Sequence, residues 1–269
     1  MKFSLKKLFA IAVAASAVVL AGCGDKAEDM SKIKVGVMAG AEAQVAEVAA
    51  KVAKEKYGLD VELVTFTDYV TPNAALDDGS VDINAFQHKP YLDQQIADRG
   101  YKLAIAGNSF VYPIAGYSKQ IKSVDELEDG ARIAVPNDPT NLGRSLLLLE
   151  QQGLIKLREG VGLQGTVRDI IENPKNIAIV ELDAAQLPRS LDDVALSIIN
   201  TTYASSIDLT PERDGVFVED KESPYVNLIV SREENLNAEN VQNFVKAYQT
   251  DEVYKAASDI FKGGVVKGW

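Results

Sequence analysis

Apolar positions along this chain recur in a repeating order. Ile33-Lys-Val-Gly-Val-Met38 is a β-prone run. Across residues 43–56, Val45, Val48, Ala49 and Val52 fall on one face at helical spacing, and Gly58 marks the stop. Val61-Glu-Leu-Val-Thr-Phe66 alternates as a half-buried strand does. Thr71-Pro-Asn-Ala-Ala-Leu76 opens a second helix, with Pro72 suited to its first turn. Residues 81–86 read as a third strand and residues 90–99 as a third helix. Strand and helix in regular succession predict a parallel sheet with helices on its faces.

Two extended runs, Tyr101-Lys-Leu-Ala-Ile-Ala106 and Val111-Tyr-Pro-Ile-Ala-Gly-Tyr117, break this order with no helix between them. A second α/β succession follows. Residues 131–135 predict a strand, residues 141–151 a helix closed by Gly153, and residues 177–182 and 194–199 further strands. Tyr225-Val-Asn-Leu-Ile-Val-Ser231 is extended again, and residues 238–261 are helical with an interruption near Thr250. Two such units predict a two-lobed α/β protein with a cleft. Each lobe is expected to be a mainly parallel sheet flanked by helices, with the two extended crossings as the hinge. Open α/β sheets bind ligands at the carboxyl ends of their strands. Asn84-Ala-Phe-Gln-His-Lys-Pro-Tyr-Leu92 lies at such an end and holds the only histidine, His88, between Phe86 and Tyr91.

The first residues follow a different pattern. Lys2, Lys6 and Lys7 precede an uncharged, alanine-rich run from Leu8 to Leu20. That run is shorter than the roughly 20 residues a spanning helix needs, so residues 1–22 read as a signal peptide. It ends in Leu20-Ala-Gly-Cys23, which resembles the lipobox of bacterial lipoproteins. The resemblance implies cleavage before Cys23 and acyl chains, palmitate among them, on that cysteine. Two lipid signals suffice for stable anchoring. Residues 24–31 are small, polar and charged, and read as a flexible tether. The body is then expected on the periplasmic side of the cell envelope, held to a membrane through Cys23.

Charge and composition narrow the chemistry. The formal net charge is −11, which argues against nucleic acid as a partner, since phosphate backbones need clustered Lys and Arg. The single cysteine rules out a disulfide within one chain and any cysteine-based metal site. With one histidine, a Ser-His-Asp triad has to use His88, and no Gly-x-Ser-x-Gly elbow accompanies it. The chain has no His-Glu-x-x-His and no Gly-x-x-x-x-Gly-Lys phosphate loop. Asp and Glu are plentiful, yet no pattern selects a catalytic pair. No enzyme activity, cofactor or metal is expected.

A binding cleft needs less. Arginine suits a carboxylate because its planar fork donates two parallel bonds. Arg144 follows Asp138-Pro-Thr-Asn-Leu-Gly143 near a predicted helix start, where backbone N–H groups also favour an anion. Asn227 lies inside an extended run, where asparagine is a poor strand former, and Asn200 ends another. Each amide offers donors and an acceptor. Tyr69, Phe86 and Tyr91 stand near the ends of strand–helix units, a place that core aromatics also occupy.

Four stretches carry a resemblance to a known family: Val35-Gly-Val37, Phe86-Gln-His-Lys-Pro-Tyr-Leu-Asp93, Val135-Pro-Asn-Asp-Pro-Thr-Asn-Leu-Gly-Arg144 and Ser223-Pro-Tyr-Val-Asn-Leu-Ile-Val230. The chain from about residue 33 to its end resembles the methionine-binding lipoproteins, the substrate-binding components of methionine ABC importers. The resemblance implies a type II-like periplasmic substrate-binding fold. One lobe spans residues 32–112 plus 225–269, with the helical tail packed back on it, and residues 113–224 form the other. It implies Tyr69, Phe86, His88 and Tyr91 around the ligand side chain, and Arg144, Asn200 and Asn227 at its polar end. The implied partners are methionine and an importer permease with its ATPase, met by a monomer. Glu42 lies where relatives differ among themselves, and no contact is assigned to it. Three alternatives stand beside this expectation: the same fold binding another small amino acid or a methionine-containing dipeptide, an enzyme built on a periplasmic-binding fold, and a structural or adhesive lipoprotein without a pocket.

Overall fold

The computed structural model describes residues 29–220 and 224–269. The signal peptide, Cys23 and residues 24–28 of the expected tether lie outside the described residues, as does Ser223. The tether's last residues form a turn rather than loose chain. Ser31 donates through its backbone and its hydroxyl to Asp29 Oδ1, and Lys32 N donates to Asp29 O at 3.0 Å. Among the described residues no helix is long and apolar enough to cross a membrane.

The first half runs β1 (Lys32–Met38), α1 (Ala41–Tyr57), β2 (Asp60–Phe66), α2 (Thr71–Asp77), β3 (Ile83–His88), α3 (Lys89–Arg99) and β4 (Leu103–Val111). The apolar stripe of α1 packs Val45, Ala46, Ala49 and Val52 onto the sheet, and Gly58 ends the helix in the left-handed conformation. Every residue of β3 is buried, whereas the edge strand β2 alternates between exposed and half-buried positions. The second half holds β5 (Ala115–Tyr117), β6 (Arg132–Pro136), α4 (Pro139–Gln151), β7 (Lys156–Leu157), β8 (Ile170–Glu172), β9 (Ala178–Leu182), α5 (Leu187–Ser190), β10 (Leu196–Ile199), α6 (Thr201–Ser205), α7 (Pro211–Asp214) and β11 (Gly215–Val218). The chain closes with β12 (Val226–Arg232), α8 (Glu239–Tyr248), α9 (Asp251–Ile260) and β13 (Val266–Lys267). The break between α8 and α9 falls at Thr250, whose hydroxyl caps α9 by accepting from Val253 N.

Two main sheets result, in the orders β13-β4-β12-β3-β1-β2 and β11-β5-β10-β6-β9. They are mixed, which corrects the expectation of mainly parallel sheets. Strands β2, β1 and β3 are parallel, as are β10, β6 and β9. Strands next to the crossings add antiparallel ladders: β12 against β3 and β4, and β5 against β10 and β11. A segment that leaves one body and later returns runs back through the same sheet, so it pairs head to tail. Antiparallel neighbours need no crossover helix, and the strand–helix count did not register them.

The first crossing also differs in detail. One strand, β4, continues through Gly107-Asn-Ser109, which interrupts the apolar run. Register shifts in its pairing with β12 absorb that stretch. A Cβ on Gly107 would stand 2.7 Å from Val245 of α8, so the absent side chain lets the tail helix pack closely on β4. The crossings lie side by side, with Glu219 N donating to Ile114 O at 2.9 Å. Each body keeps its own core, one around Phe110 and Phe244 and the other around Ile133 and Leu146. A third cluster, containing Met38, Phe86, Tyr91, Tyr117 and Tyr203, joins residues from both sheets' bodies.

Candidate functional site

Four strand ends, those of β2, β3, β6 and β10, and the returning strand β12 converge on one cavity. At the end of β3, His88 is the N-cap of α3, and its Nδ1 accepts from Tyr91 N at 3.2 Å. That bond fixes the tautomer: Nε2 carries the hydrogen and donates to Asn141 Oδ1 at 3.2 Å, reaching the other body. Burial and the nearby Arg144 charge push the His88 pKa down to about 3, so the ring is neutral.

Tyr69 follows β2 in a turn held by Asp68, whose Oδ1 accepts from the backbone N–H of Val70 and of Thr71, each at 2.8 Å. The Tyr91 hydroxyl donates to Tyr69 O at 2.6 Å. Tyr69, Phe86 and Tyr91 form a wall with ring centroids 6.0–6.3 Å apart, and Tyr203 of α6 joins it 5.0 Å from Tyr69. Beneath lies a buried amide network. Asn73 and Gln87 exchange hydrogen bonds of 2.6 and 2.7 Å, and Asn84 Nδ2 donates to Asn73 Oδ1 at 2.9 Å. Its satisfied amides hold Gln87 at the cavity floor.

On the second body, Asp138 caps α4 by accepting from Asn141 N at 2.9 Å, and its carboxylate also takes the Asn141 side-chain amide. Arg144 sits in the second turn of this helix. The expectation of free N–H groups beside it is therefore corrected, because Asp138 already occupies the helix terminus. Gly143 lets the loop at Leu163 approach α4, since a Cβ there would meet Leu163 O at 2.2 Å. The Arg144 guanidinium is buried and lies 4.2 Å over the Tyr225 ring. It donates through Nε and Nη2 to Glu219 and through Nη2 to Tyr112 O at 3.0 Å. Its Nη1 has no acceptor among the described residues.

Asn200 ends β10 and heads α6 without capping it. Its Nδ2 donates to Asn141 Oδ1 at 3.0 Å, and its own Oδ1 is buried with no hydrogen-bond partner among the described residues. Asn227 stands opposite His88 in β12, beside a register shift, and donates through Nδ2 to Phe86 O at 3.0 Å. The bulge and this bond account for an asparagine inside a strand.

These residues line a cavity whose non-atom space, including the part open to solvent, is about 360 Å³. All seven positions singled out from the sequence line it: Tyr69, Phe86, His88, Tyr91, Arg144, Asn200 and Asn227. Gln87, Tyr112, Asn141, Thr201 and Thr202 line it as well and were not singled out. Gln87 and Asn141 lie in the quoted motifs, so their signal was present; Tyr112 and the threonines carry none beyond their place at a crossing and a helix start. Among the described residues no cluster of His, Cys, Asp and Glu could hold a metal ion.

Two α/β bodies meeting over a small cavity with an aromatic wall and a guanidinium define a periplasmic substrate-binding protein fold. The chain belongs to the NlpA lipoprotein family, whose model matches residues 33–269. It is 84% identical over 269 residues to the probable D-methionine-binding lipoprotein MetQ of Vibrio cholerae, covering 100% of both chains. It is 68% identical over 271 residues to the D-methionine-binding lipoprotein MetQ of Escherichia coli K12, again covering 100% of both. Among solved structures, a methionine-binding protein MetQ superposes with a TM-score of 0.89 at 73% identity, covering 90% of this chain and 99% of that one. A nutrient-binding protein from Burkholderia cenocepacia, solved bound to methionine, gives 0.87 at 51% identity, covering 88% and 100%.

Proposed function

We propose that this protein captures methionine in the cell envelope and delivers it to an ABC importer, with no covalent chemistry. One observation carries the reading: among the described residues a single cavity combines an acceptor without a donor, Asn200 Oδ1, a donor without an acceptor, Arg144 Nη1, and an aromatic wall. That set matches a zwitterion with an apolar arm. The ammonium goes to Asn200, the carboxylate to Arg144, and Asn227 bonds the polar end. Tyr69, Phe86, Tyr91 and His88 surround the thioether. Burying such a side chain contributes about 2 kcal/mol, and sulfur–aromatic contact adds roughly 0.3–1.5 kcal/mol. Relatives named as methionine-binding and a neighbour holding methionine support the choice of ligand.

The lobes of this reading are residues 32–112 plus 225–269 and residues 113–224, and ligand contacts from both favour closure. A ligand shifts the open–closed equilibrium only by its differential affinity for the two forms; contacts divided between the lobes supply that difference. The closed form then docks on the permease, whose ATPase drives uptake. A lipid on Cys23 keeps the monomer at the membrane on its periplasmic side. The test is mass spectrometry of small molecules released from the purified, denatured protein, followed by calorimetry with L- and D-methionine. Methionine in the extract and saturable heat support the reading; an unrelated bound molecule and no methionine heat refute it.

A further inference from the structure

The carboxyl group of Glu42 is buried, just outside the cavity lining. It sits in the first turn of α1, on the first body. Thr202, in the first turn of α6 on the second body, donates its hydroxyl to Glu42 Oε1 at 2.5 Å. The other titratable groups that face Glu42 are the phenols of Tyr69, Tyr112, Tyr203 and Tyr248. Burial raises the pKa of all four, so they are neutral and supply no positive charge. The first-turn position lends only the partial positive charge of a helix terminus.

Enclosure by apolar surface and neutral hydroxyls disfavours the charged carboxylate. Burial raises the Glu42 pKa to about 8, with the Thr202 bond opposing the shift. Because Glu42 and Thr202 sit on different bodies, separating those bodies would withdraw Thr202 and open this face of Glu42 to water, where a glutamate carboxyl titrates near 4.5.

We propose that Glu42 is a proton-coupled latch: closing the lobes on the ligand carries one proton from solvent onto its carboxyl, which then bonds Thr202 as a neutral acid. The inference rests on the reading that this protein closes on methionine. The balance is one proton, taken from solvent by Glu42, since a ligand that is a zwitterion both free and bound neither gains nor loses one. Affinity therefore falls by about tenfold per pH unit between the open and closed titration points. His88 works with the opposite sign, because its ring is neutral in the closed form and sheds a proton on closure only where the open form is charged, below about its ordinary 6.5. At about pH 7.5 little of an ordinary imidazole is charged, and Glu42 dominates the exchange.

The test is calorimetry of methionine binding to the full-length protein at about pH 7.5 in two buffers of different ionisation enthalpy, which counts protons exchanged per ligand bound. The expected result is uptake of most of one proton in the wild type and none in Glu42→Gln. Binding without proton uptake in the wild type overturns the latch and leaves methionine capture standing. Uptake that persists undiminished in Glu42→Gln also overturns it. No methionine heat in either buffer overturns methionine capture and the latch with it. If Glu42→Gln does not fold, the wild-type count alone decides.

Discussion

The guanidinium of Arg144 is forked onto the carboxylate of Glu219, with Nε donating to Oε1 at 2.8 Å and Nη2 to Oε2 at 2.5 Å. Glu219 belongs to the second crossing and Tyr112, which also accepts from Arg144, to the first. One side chain thus ties the cavity to the chain just after β4 and to the chain just after β11. The side chains are only 3% and 11% exposed, so removing one partner leaves a poorly solvated charge. Breaking a buried pair in this way costs about 3–5 kcal/mol. Arg144→Ala is expected to lose stability of that order in urea unfolding. Its methionine affinity should also fall by at least about tenfold, or 1.4 kcal/mol, in calorimetry. Unchanged affinity would remove Arg144 from the ligand's polar end.

Asn227→Ala removes the amide that bonds Phe86 O across the β12–β3 ladder. Phe86 is the β3 residue that the register of β12 skips, so the variant takes this partner from a buried backbone carbonyl, and a stability loss of about 1–3 kcal/mol is expected. Methionine affinity is expected to drop by about tenfold or more. A calorimetric titration matching the wild type would assign Asn227 a purely structural part.

The pH dependence of stability separates two buried groups of opposite sign. His88 is held down at about 3, so stability is fully present above its unfolded value of 6.5 and is lost as pH falls toward 3. Glu42 is held up at about 8, so its contribution is fully present below its unfolded value of 4.5 and is lost as pH rises through 8. Each slope is at most about 1.4 kcal/mol per pH unit. With methionine bound, the stability difference between wild type and Glu42→Gln should shift steadily against the wild type from about pH 5 to pH 8. Against His88→Asn, it should shift against the wild type as pH falls below about 6. Parallel unfolding curves across this range would contradict both assignments.

In the aromatic wall, Tyr91→Phe deletes only the hydroxyl bond to Tyr69 O. A stability loss of about 1 kcal/mol is expected, with affinity nearly kept. Phe86→Ala empties a buried site against Tyr69 and Tyr91. It should cost about 3–5 kcal/mol of stability and weaken methionine binding well beyond Tyr91→Phe. Equal binding losses in the two variants would mean that the ring of Phe86 does not face the ligand.

Cys23→Ala is expected to move the protein from the membrane to the soluble fraction, since the acyl chains are the proposed anchor. Cell fractionation reads this directly. Retention in the membrane would point to another attachment.

Local pattern made much of this protein legible. The stripe of Val45, Ala49 and Val52 predicts α1 and Gly58 its end, Pro72 suits the first turn of α2, and the interruption near Thr250 is the break between α8 and α9. These elements form from interactions among residues close in the chain, so periodicity and turn chemistry suffice. The aromatic and polar side chains of the cavity were also visible as candidates, because strand ends in α/β sheets collect ligand sites and because the motifs around Phe86 and Arg144 resemble a known family.

What pattern could not supply are the pairings between distant segments. The antiparallel return of β12 between β3 and β4 joins residues more than a hundred positions apart, and no local spacing records it. The fork of Arg144 on Glu219, the bond from Asn200 to Asn141 and the reach of Thr202 to Glu42 are of the same kind. The sequence by itself determined the longer helices and strands and which residue types wait at their ends, since those depend on near neighbours; β7, β8, β11, β13, α5, α6 and α7 span two to five residues each, too few to carry a periodic signal. Tertiary structure alone decided which donors are already satisfied, which acceptor is left open and which carboxyl is sealed from water, because burial and long-range contacts exist only once the two bodies have met.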